Sequence, residues 1–429
     1  MNVKEFPRIA QLVLLLGVFL PLGACLNHQP PEKSTAGVEK IAVEDGASYD
    51  IVARRAAIDG NRVELLLDGP ATYDAMFDAI ATASDHINLE TFILADDVIG
   101  KRLADLLIDR VADGVVVNLI YDAFGSGMTS DEFFDRLEDN GINVLAYNTV
   151  FEGDPLDLLN RNHRKVLVVD GRIGFTGGLN FTRKYRFSSE NPPAESRFGA
   201  AWRDTHIRIE GPAVAELQRA FLRNWAANAD QPLAAASYFP QLEPVGQSPV
   251  LVEVAEGGDG RASAIFEHYL EAVRAAKERI WIVQAYFIPS EDLLDELVHA
   301  ANRGVDVRLV LPKRTDNGLT VPATRSYYSR LLENGIRIFE YESSHLHAKT
   351  ALIDHDWTTV GSSNLDTLSY LYNDELNAFI LDQQFNDQLA SSFIDDMSES
   401  REITEEAWDD RGIWPRTKEI VARFLKPVL

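Results

Sequence analysis

Apolar and polar positions along this chain alternate between two periods, and the whole succession of periods occurs twice. A strand-like run, Ile87-Asn88-Leu89-Glu90-Thr91-Phe92-Ile93, precedes a stretch whose apolar residues Leu103, Leu106, Leu107 and Val111 recur at helical spacing. Two short apolar runs follow, opened by Gly114 and Gly141 and carrying Val115 to Ile120 and Ile142 to Leu145. The second half repeats the order. Ile280 to Phe287 is strand-like, Leu293, Leu294, Leu297 and Ala301 are helix-like, and Gly304 and Gly335 open the runs Val305 to Val310 and Ile336 to Phe339. Strands alternating with helices predict an α/β fold, each lobe a mixed, mostly parallel sheet flanked by helices. Repetition predicts two lobes, residues 49–230 and 248–429, related by a pseudo-twofold axis. The passage from Ala226 to Ser248, with Pro232, Pro240 and Pro244, reads as their joint.

The ends of the chain follow neither period. Lys4 and Arg8 precede the apolar run Ile9 to Leu22, and Gly23-Ala24 then lead into Cys25. A basic start, an apolar middle too short to span a bilayer comfortably and a small-residue step have the layout of an export signal, residues 1–24. Residues 25–48 are polar, contain Pro30, Pro31 and Gly37, and read as a flexible tether. At the other end Ile420, Val421, Phe424 and Leu425 interleave with Arg416, Lys418, Arg423 and Lys426, which suits a short amphipathic helix on a membrane or on the core. The first half also carries an extra stretch, Phe151 to Leu159, with Leu156, Leu158 and Leu159, either a lipid-facing loop or a solvent loop. Ser188 to Ala200, with Pro192 and Pro193, reads as a surface insert.

Composition narrows the partners. A formal net charge of -25 repels nucleic acid phosphates, so nonspecific DNA or RNA binding is disfavoured, and no nucleic acid partner is expected. An anionic substrate then requires local reversal of the charge. With Cys25 the only cysteine, no intrachain disulfide can form.

The repeat contains one short motif in two copies. His163-Arg164-Lys165 runs through Val166 to Val169 into Asp170, and Gly177-Gly178-Leu179-Asn180 follows. His347-Ala348-Lys349 runs through Thr350 to Ile353 into Asp354, and Gly361-Ser362-Ser363-Asn364 follows. On a strand, residues two apart face the same way, so each histidine projects with its lysine. Asp170 and Asp354 lie at an odd offset from their histidines and read as turn and scaffold residues, although they belong to the motif. Asp170-Gly171 predicts a two-residue hairpin that sets Val169 against Arg172 and His163 opposite Gly178; the same spacing places His347 opposite Ser362. One such copy reads as an edge strand and a turn. Two copies in matched contexts supply the imidazoles, ammoniums and amides that phosphodiester exchange needs without a metal. His345 and His347 form a His-x-His pair, but no carboxylate-rich metal set accompanies it, so no metal is expected.

The paired motifs resemble those of the phospholipase D superfamily, over nearly all of the chain after the tether. Arg161-Asn162-His163-Arg164-Lys165, Trp202-Arg203-Asp204 ahead of Ile207 to Pro212, and Val360 to Asp366 with Asn373-Asp374-Glu375 resemble its cardiolipin synthase branch, as does the C-terminal Arg416 to Leu429. Leu22-Gly23-Ala24-Cys25 resembles the lipobox of bacterial lipoproteins. The first resemblance implies two tandem phospholipase D-like lobes with one active site at their interface and no cofactor. It implies His163 as nucleophile and His347 as general acid and base, with the reverse order left open by the near symmetry. Lys165, Lys349, Asn180 and Asn364 would hold the nonbridging oxygens. Asp204 and Glu375 would orient the histidines, the alternative being structural carboxylates. Ser362 can add a hydrogen bond that Gly178 cannot. Arg161 and Arg164, with Arg172, Arg183, Lys184 and Arg186, would form a basic patch for lipid headgroups, or are ordinary surface cations. The implied reaction is phosphatidyl transfer, two phosphatidylglycerols giving cardiolipin and glycerol. Hydrolysis to phosphatidic acid, a nuclease of the same superfamily and a noncatalytic membrane-binding lipoprotein are the alternatives. The second resemblance implies lipidation at Cys25 and a membrane-anchored exported protein facing the periplasm, in the outer membrane if the host is Gram-negative, since Leu26 follows the cysteine. Oligomeric state is not legible.

Overall fold

The computed structural model describes residues 57–412, apart from 150–159, 191, 197–198, 231–232, 234–236 and 258–262. The export signal, Cys25, the tether, the stretch Phe151 to Leu159 and the C-terminal amphipathic segment lie outside the described residues.

Each half begins with a strand and a helix and then runs strand, helix, strand, helix, strand. The first half contains β1 (Ile58–Leu67), α1 (Asp68–Ala81), β2 (His86–Thr91), α2 (Val98–Ala112), β3 (Val116–Asp122), α3 (Asp131–Asp139), β4 (Asn143–Tyr147), β5 (Val166–Val169), β6 (Ile173–Gly177), β7 (Thr205–Glu210) and α4 (Val214–Asn228). The second contains β8 (Ser248–Ala255), α5 (Ala264–Ala275), β9 (Arg279–Gln284), α6 (Glu291–Asn302), β10 (Asp306–Pro312), α7 (Thr320–Arg325), α8 (Tyr328–Glu333), β11 (Arg337–Tyr341), β12 (Lys349–Ile353), β13 (Trp357–Gly361), α9 (Thr367–Leu371), β14 (Glu375–Leu381), α10 (Gln383–Ser398), β15 (Ser400–Ile403) and α11 (Glu405–Asp409). The helices predicted around Leu103 and Leu293 are α2 and α6. Asp97 caps the first by accepting from Ile99 N at 2.9 Å, and Ser290 caps the second by accepting from Leu293 N at 3.2 Å. The joint begins later than the sequence suggests, because Ala226 to Asn228 complete the last turn of α4.

All of these strands form one sheet in the order β15-β11-β10-β9-β12-β13-β14-β8-β1-β7-β6-β5-β2-β3-β4. Read outward from the central β8–β1 pair, the order is the same on both sides up to β11 and β4, which is the pseudo-twofold repeat. The sheet is mixed, but parallel pairing is confined to β2–β3, β3–β4, β9–β10 and β10–β11. Antiparallel pairing therefore outweighs the mostly parallel arrangement expected. The cause is the run β5–β6–β7 and its copy β12–β13–β14, all antiparallel: β5–β6 and β12–β13 return through tight hairpins, and β6–β7 and β13–β14 through longer connections.

The predicted two-residue turn is one residue longer than expected. Val169 pairs with Ile173 and Ile353 with Trp357, so three residues make each loop and the register moves by one. Asp170 adopts φ 52° and Asp354 φ 50°, backbone that is costly for a non-glycine residue. The reason lies in the carboxylates. Asp170 accepts from Ser84 N, Asp85 N and His86 N, and Asp354 accepts from Lys277 N, Glu278 N and Arg279 N. Each aspartate thus clamps its hairpin to the loop that starts β2 or β9. Both stand at the turn end of their strands, away from the histidines, as scaffold.

Strands β5 and β12 are buried on both faces, which explains their unbroken apolar runs. Leu167 and Val169 join the core under α1 and α2, whereas Val166 and Val168 face a second core with Val214, Leu217, Val360, Ala378, Ile380 and Phe385. That second core draws on both halves. A buried ion pair also crosses between them: Arg203 Nε lies 2.7 Å from Asp396 Oδ1 and Nη2 2.9 Å from Oδ2. We expect Arg203→Ala to cost about 3–5 kcal/mol, because it leaves Asp396 buried without its partner. Urea unfolding measures this, and the double variant Arg203→Met, Asp396→Leu should recover most of the loss.

Candidate active site

The motif histidines stand just ahead of β5 and β12, where each chain runs alongside a segment of the opposite half. Asn162 forms a parallel bridge with Asp374, and Arg203 one with Leu346. His163 N donates to Asp374 O at 2.9 Å, and His347 N donates to Arg203 O at 2.7 Å. The residue after each acceptor is the carboxylate that meets the imidazole. His163 Nδ1 lies 3.0 Å from both oxygens of Glu375, and His347 Nδ1 lies 2.7 Å from Asp204 Oδ2. The acids are crossed: each half orients the other half's histidine. Nδ1 being engaged, Nε2 is the ring nitrogen not committed to a carboxylate.

The two pairs are built differently. In the second half Ser362 Oγ donates to Glu375 Oε2 at 2.5 Å and Ser369 Oγ to Oε1 at 2.8 Å. The position matching Ser362 is Gly178, where an added Cβ would come 2.1 Å from Asp204 Oδ1. The glycine makes room for that carboxylate. The position matching Ser369 is Tyr185, whose Oη lies 3.0 Å from His347 Nδ1. Ionisation follows from these contacts. Burial pushes Glu375 upward, but the charge and hydrogen bond of His163, with Lys165 and Ser362, outweigh it and hold the carboxyl below its ordinary value. Asp204 has no such hydroxyl support among the described residues, and burial raises it to about 6.

Lys165 and Lys349 are almost wholly enclosed, and each ammonium folds onto the backbone carbonyl of its own histidine. Lys349 Nζ also lies 3.2 Å from His347 Nε2. Burial lowers Lys165 to about 7 and Lys349 to about 8. Burial lowers both histidines too, and the charge of Lys349 reaches His163 as that of Lys165 reaches His347. The two copies therefore share one electrostatic environment. Asn180 and Asn364 are buried in the same region; Asn180 Oδ1 accepts from Ile93 N at 3.0 Å, and Asn364 Oδ1 has no partner among the described residues. Aromatic rings wall the histidines: Phe92 meets His163 edge-on at 5.1 Å, and Trp202 lies 5.4 Å from His347. Such a site can bind a phosphodiester anion between two imidazoles, one placed to attack and one to move a proton.

The basic patch comes apart. Arg164 is buried, with Glu90 at 3.8 Å, Asp374 at 3.6 Å and the carbonyl of Ala255 at 3.2 Å, so it ties the halves together and cannot reach a headgroup. Sequence reveals its charge but not its burial between two acids. Arg172 is exposed at the far, turn end of β5 and β6. Arg161 stays half-exposed, its guanidinium 4.5 Å over the Phe124 ring. Lys184 lies 4.4 Å over the Trp202 ring. Tyr185, Ser369 and Phe92 carry no repeated signature that marks them as site residues in the sequence; the matched offset of Tyr185 from Asn180 and of Ser369 from Asn364 is the one usable signal.

Comparison with known proteins bears on this geometry. Residues 76–191 and 269–397 match a family model described as cardiolipin synthase, PLD-like domain. A cardiolipin synthase of Listeria monocytogenes is 36% identical over 86% of this chain and 76% of its own length. A cardiolipin synthase 2 of Bacillus anthracis is 35% identical over 85% of this chain and 70% of its own. Among solved structures, the phosphatidylserine synthase of Haemophilus influenzae Rd KW20 aligns with TM-score 0.61 and 14% identity, covering 86% of this chain and 95% of that one, a likeness of fold.

Two outcomes follow from the site itself. Gly178→Ala should push Asp204 off His347 and lower phosphodiester turnover by about 10²-fold, the scale of losing a positioned proton-transfer group, read from steady-state rates against Ser362→Ala as the milder control. Free lysines near 7 and 8 lose their protons as pH rises, whereas a bound phosphodiester favours the charged form. Binding therefore takes up protons, and affinity for glycerophosphoglycerol should fall between pH 7 and 9 by up to about tenfold per unit per lysine; a titration at each pH measures it.

Proposed function

The chain belongs to the phospholipase D-like cardiolipin synthase family, and from that premise we propose that it transfers phosphatidyl groups between phospholipids, making cardiolipin and glycerol from two phosphatidylglycerols. The observation that carries the reading is the crossed pairing of His163 with Glu375 and His347 with Asp204.

In the proposed first step His163 Nε2 attacks phosphorus, the P–O bond to the glycerol headgroup breaks, and His347 Nε2 gives its proton to the leaving oxygen. In the second, a hydroxyl of another phosphatidylglycerol attacks the phosphohistidine. His347 takes its proton, the P–N bond breaks, and His163 returns to its starting state. Lys165, Lys349, Asn180 and Asn364 hold the nonbridging oxygens and offset charge in both transition states. Assignment of His163 as nucleophile rests on the unequal carboxylates. A phosphorylated imidazole is a cation, and Glu375, held below its ordinary value, is the firmer counter-charge; Asp204, raised to about 6, suits a histidine that cycles its proton. Exchange of one phosphodiester for another is nearly neutral in free energy, so the reaction needs no nucleotide.

Purified protein with labelled phosphatidylglycerol tests the reading. Cardiolipin and free glycerol are the expected products, and phosphatidic acid alone would end the synthase proposal. His163→Ala should reduce turnover by 10³-fold or more and abolish the acid-labile phosphatidyl-enzyme, while the fold survives; wild-type activity in that variant would refute the nucleophile assignment, and a phosphatidyl-enzyme that still forms would reverse the histidine roles.

The same reading includes export and a lipid anchor at Cys25, supported by the signal layout and by a substrate that resides in membranes. Several acyl chains at about 0.8 kcal/mol per buried methylene suffice for firm attachment. Cys25→Ser should move the protein from the membrane to the soluble fraction on cell fractionation.

A further inference from the structure

The approaches to the two histidines are chemically unlike. Two residues before His163 stands Arg161, over Phe124; two residues before His347 stands His345. The His345 ring stacks on Trp202 with centroids 3.8 Å apart and planes 20° apart. Its Nε2 is buried, makes no hydrogen bond among the described residues, and lies 3.8 Å from Asp316 Oδ1, beyond hydrogen-bond reach. Asp316 sits on the loop after β10, and Tyr286, just after β9, donates its hydroxyl to Asp316 Oδ1. These are the carboxyl ends of parallel strands, where α/β sheets gather their ligand groups. The Asp316 side chain is 41% exposed, so the cluster opens outward. Burial raises Asp316, yet the hydrogen bond of Tyr286 and the charges of His347, His345 and Lys184 outweigh it and hold the carboxyl below its ordinary value. Trp202, stacked on His345 and 5.4 Å from the His347 ring, places the cluster beside that imidazole.

Two successive in-line displacements put the departing and the entering alcohol on the same face of phosphorus, opposite the attacking nitrogen and beside the acid/base. Whatever recognises the alcohol belongs next to His347. On the proposed function both alcohols are glycerol moieties carrying adjacent hydroxyls. A carboxylate with an oxygen to spare and an unpaired imidazole nitrogen accept and donate to such a pair; an arginine over a phenyl ring offers no acceptor.

We propose that Asp316, Tyr286 and His345 form a polyol subsite that holds the vicinal hydroxyls of the departing and entering glycerol headgroups against His347. This rests on the phosphatidyltransfer reading above. Within the subsite the terminal hydroxyl of the acceptor is left to attack: its oxygen bonds phosphorus, its proton passes to His347 Nε2, and the P–N bond to His163 breaks. Tyr286 fixes the Asp316 carboxylate, and the neighbouring hydroxyl takes the place between Asp316 and His345 Nε2.

The test is partition of the phosphatidyl-enzyme between competing acceptors. Full-length protein in phosphatidylglycerol vesicles receives isotopically labelled glycerol together with 1-propanol, and labelled phosphatidylglycerol and phosphatidylpropanol are quantified by mass spectrometry. Both products leave one intermediate, so their ratio is independent of how fast that intermediate forms, and a general structural defect does not move it. We expect Asp316→Asn and Tyr286→Phe to lower the glycerol-to-propanol ratio by about tenfold and severalfold, with propanol transfer persisting. Cardiolipin formation by the wild type with an unchanged ratio in both variants overturns the subsite alone. A wild type that yields phosphatidic acid and no transfer product overturns the subsite together with the function it rests on.

Discussion

Neither half of this molecule can orient its own histidine. Glu375 holds His163 and Asp204 holds His347, and each carboxylate is delivered by a short parallel bridge that pins the histidine's backbone to the residue before the acid. Separation of the halves would expose two carboxylates and release both tautomers at once. The shared core beneath β5 and β13, the Arg203–Asp396 pair and the clamp of Arg164 between Glu90 and Asp374 all work against that separation. Stability of the interface and competence of the site are one constraint.

On this symmetric frame the chemistry is unsymmetric. Two serine hydroxyls support Glu375, while a glycine and a tyrosine occupy the matching places around Asp204. The longer carboxylate ends up firmly charged and the shorter one is raised. Small side-chain exchanges at equivalent positions thus set two imidazoles to different tasks without altering the backbone that carries them.

Much of this was legible because it is written twice. The duplicated motif reveals which imidazoles and ammoniums belong together, and the odd offset of Asp170 and Asp354 marks them as scaffold, in keeping with the backbone N–H groups they accept. What sequence conceals is partnership across distance. Glu375 lies 212 residues from His163 and Asp204 lies 143 from His347, and no local pattern reports that the acids are exchanged. The Asp-Gly turn signal misplaced the register by one: it announces the left-handed backbone that Asp170 and Gly171 adopt, but not that Arg172 joins them as a third loop residue. Arg164 advertises charge but not its burial. Antiparallel weighting of the sheet arises from returning strands that look, in isolation, like any buried apolar run.

The β1–β8 seam at the pseudo-dyad has a genetic corollary. A polypeptide comprising one half, closing edge to edge with a second copy of itself, would furnish each imidazole with the same carboxylate and leave the pair indistinguishable. Joining the copies into one open reading frame frees their codons to drift apart. Fixing the nucleophile and the proton carrier at particular positions requires copies whose sequences can differ, and a single polypeptide provides them.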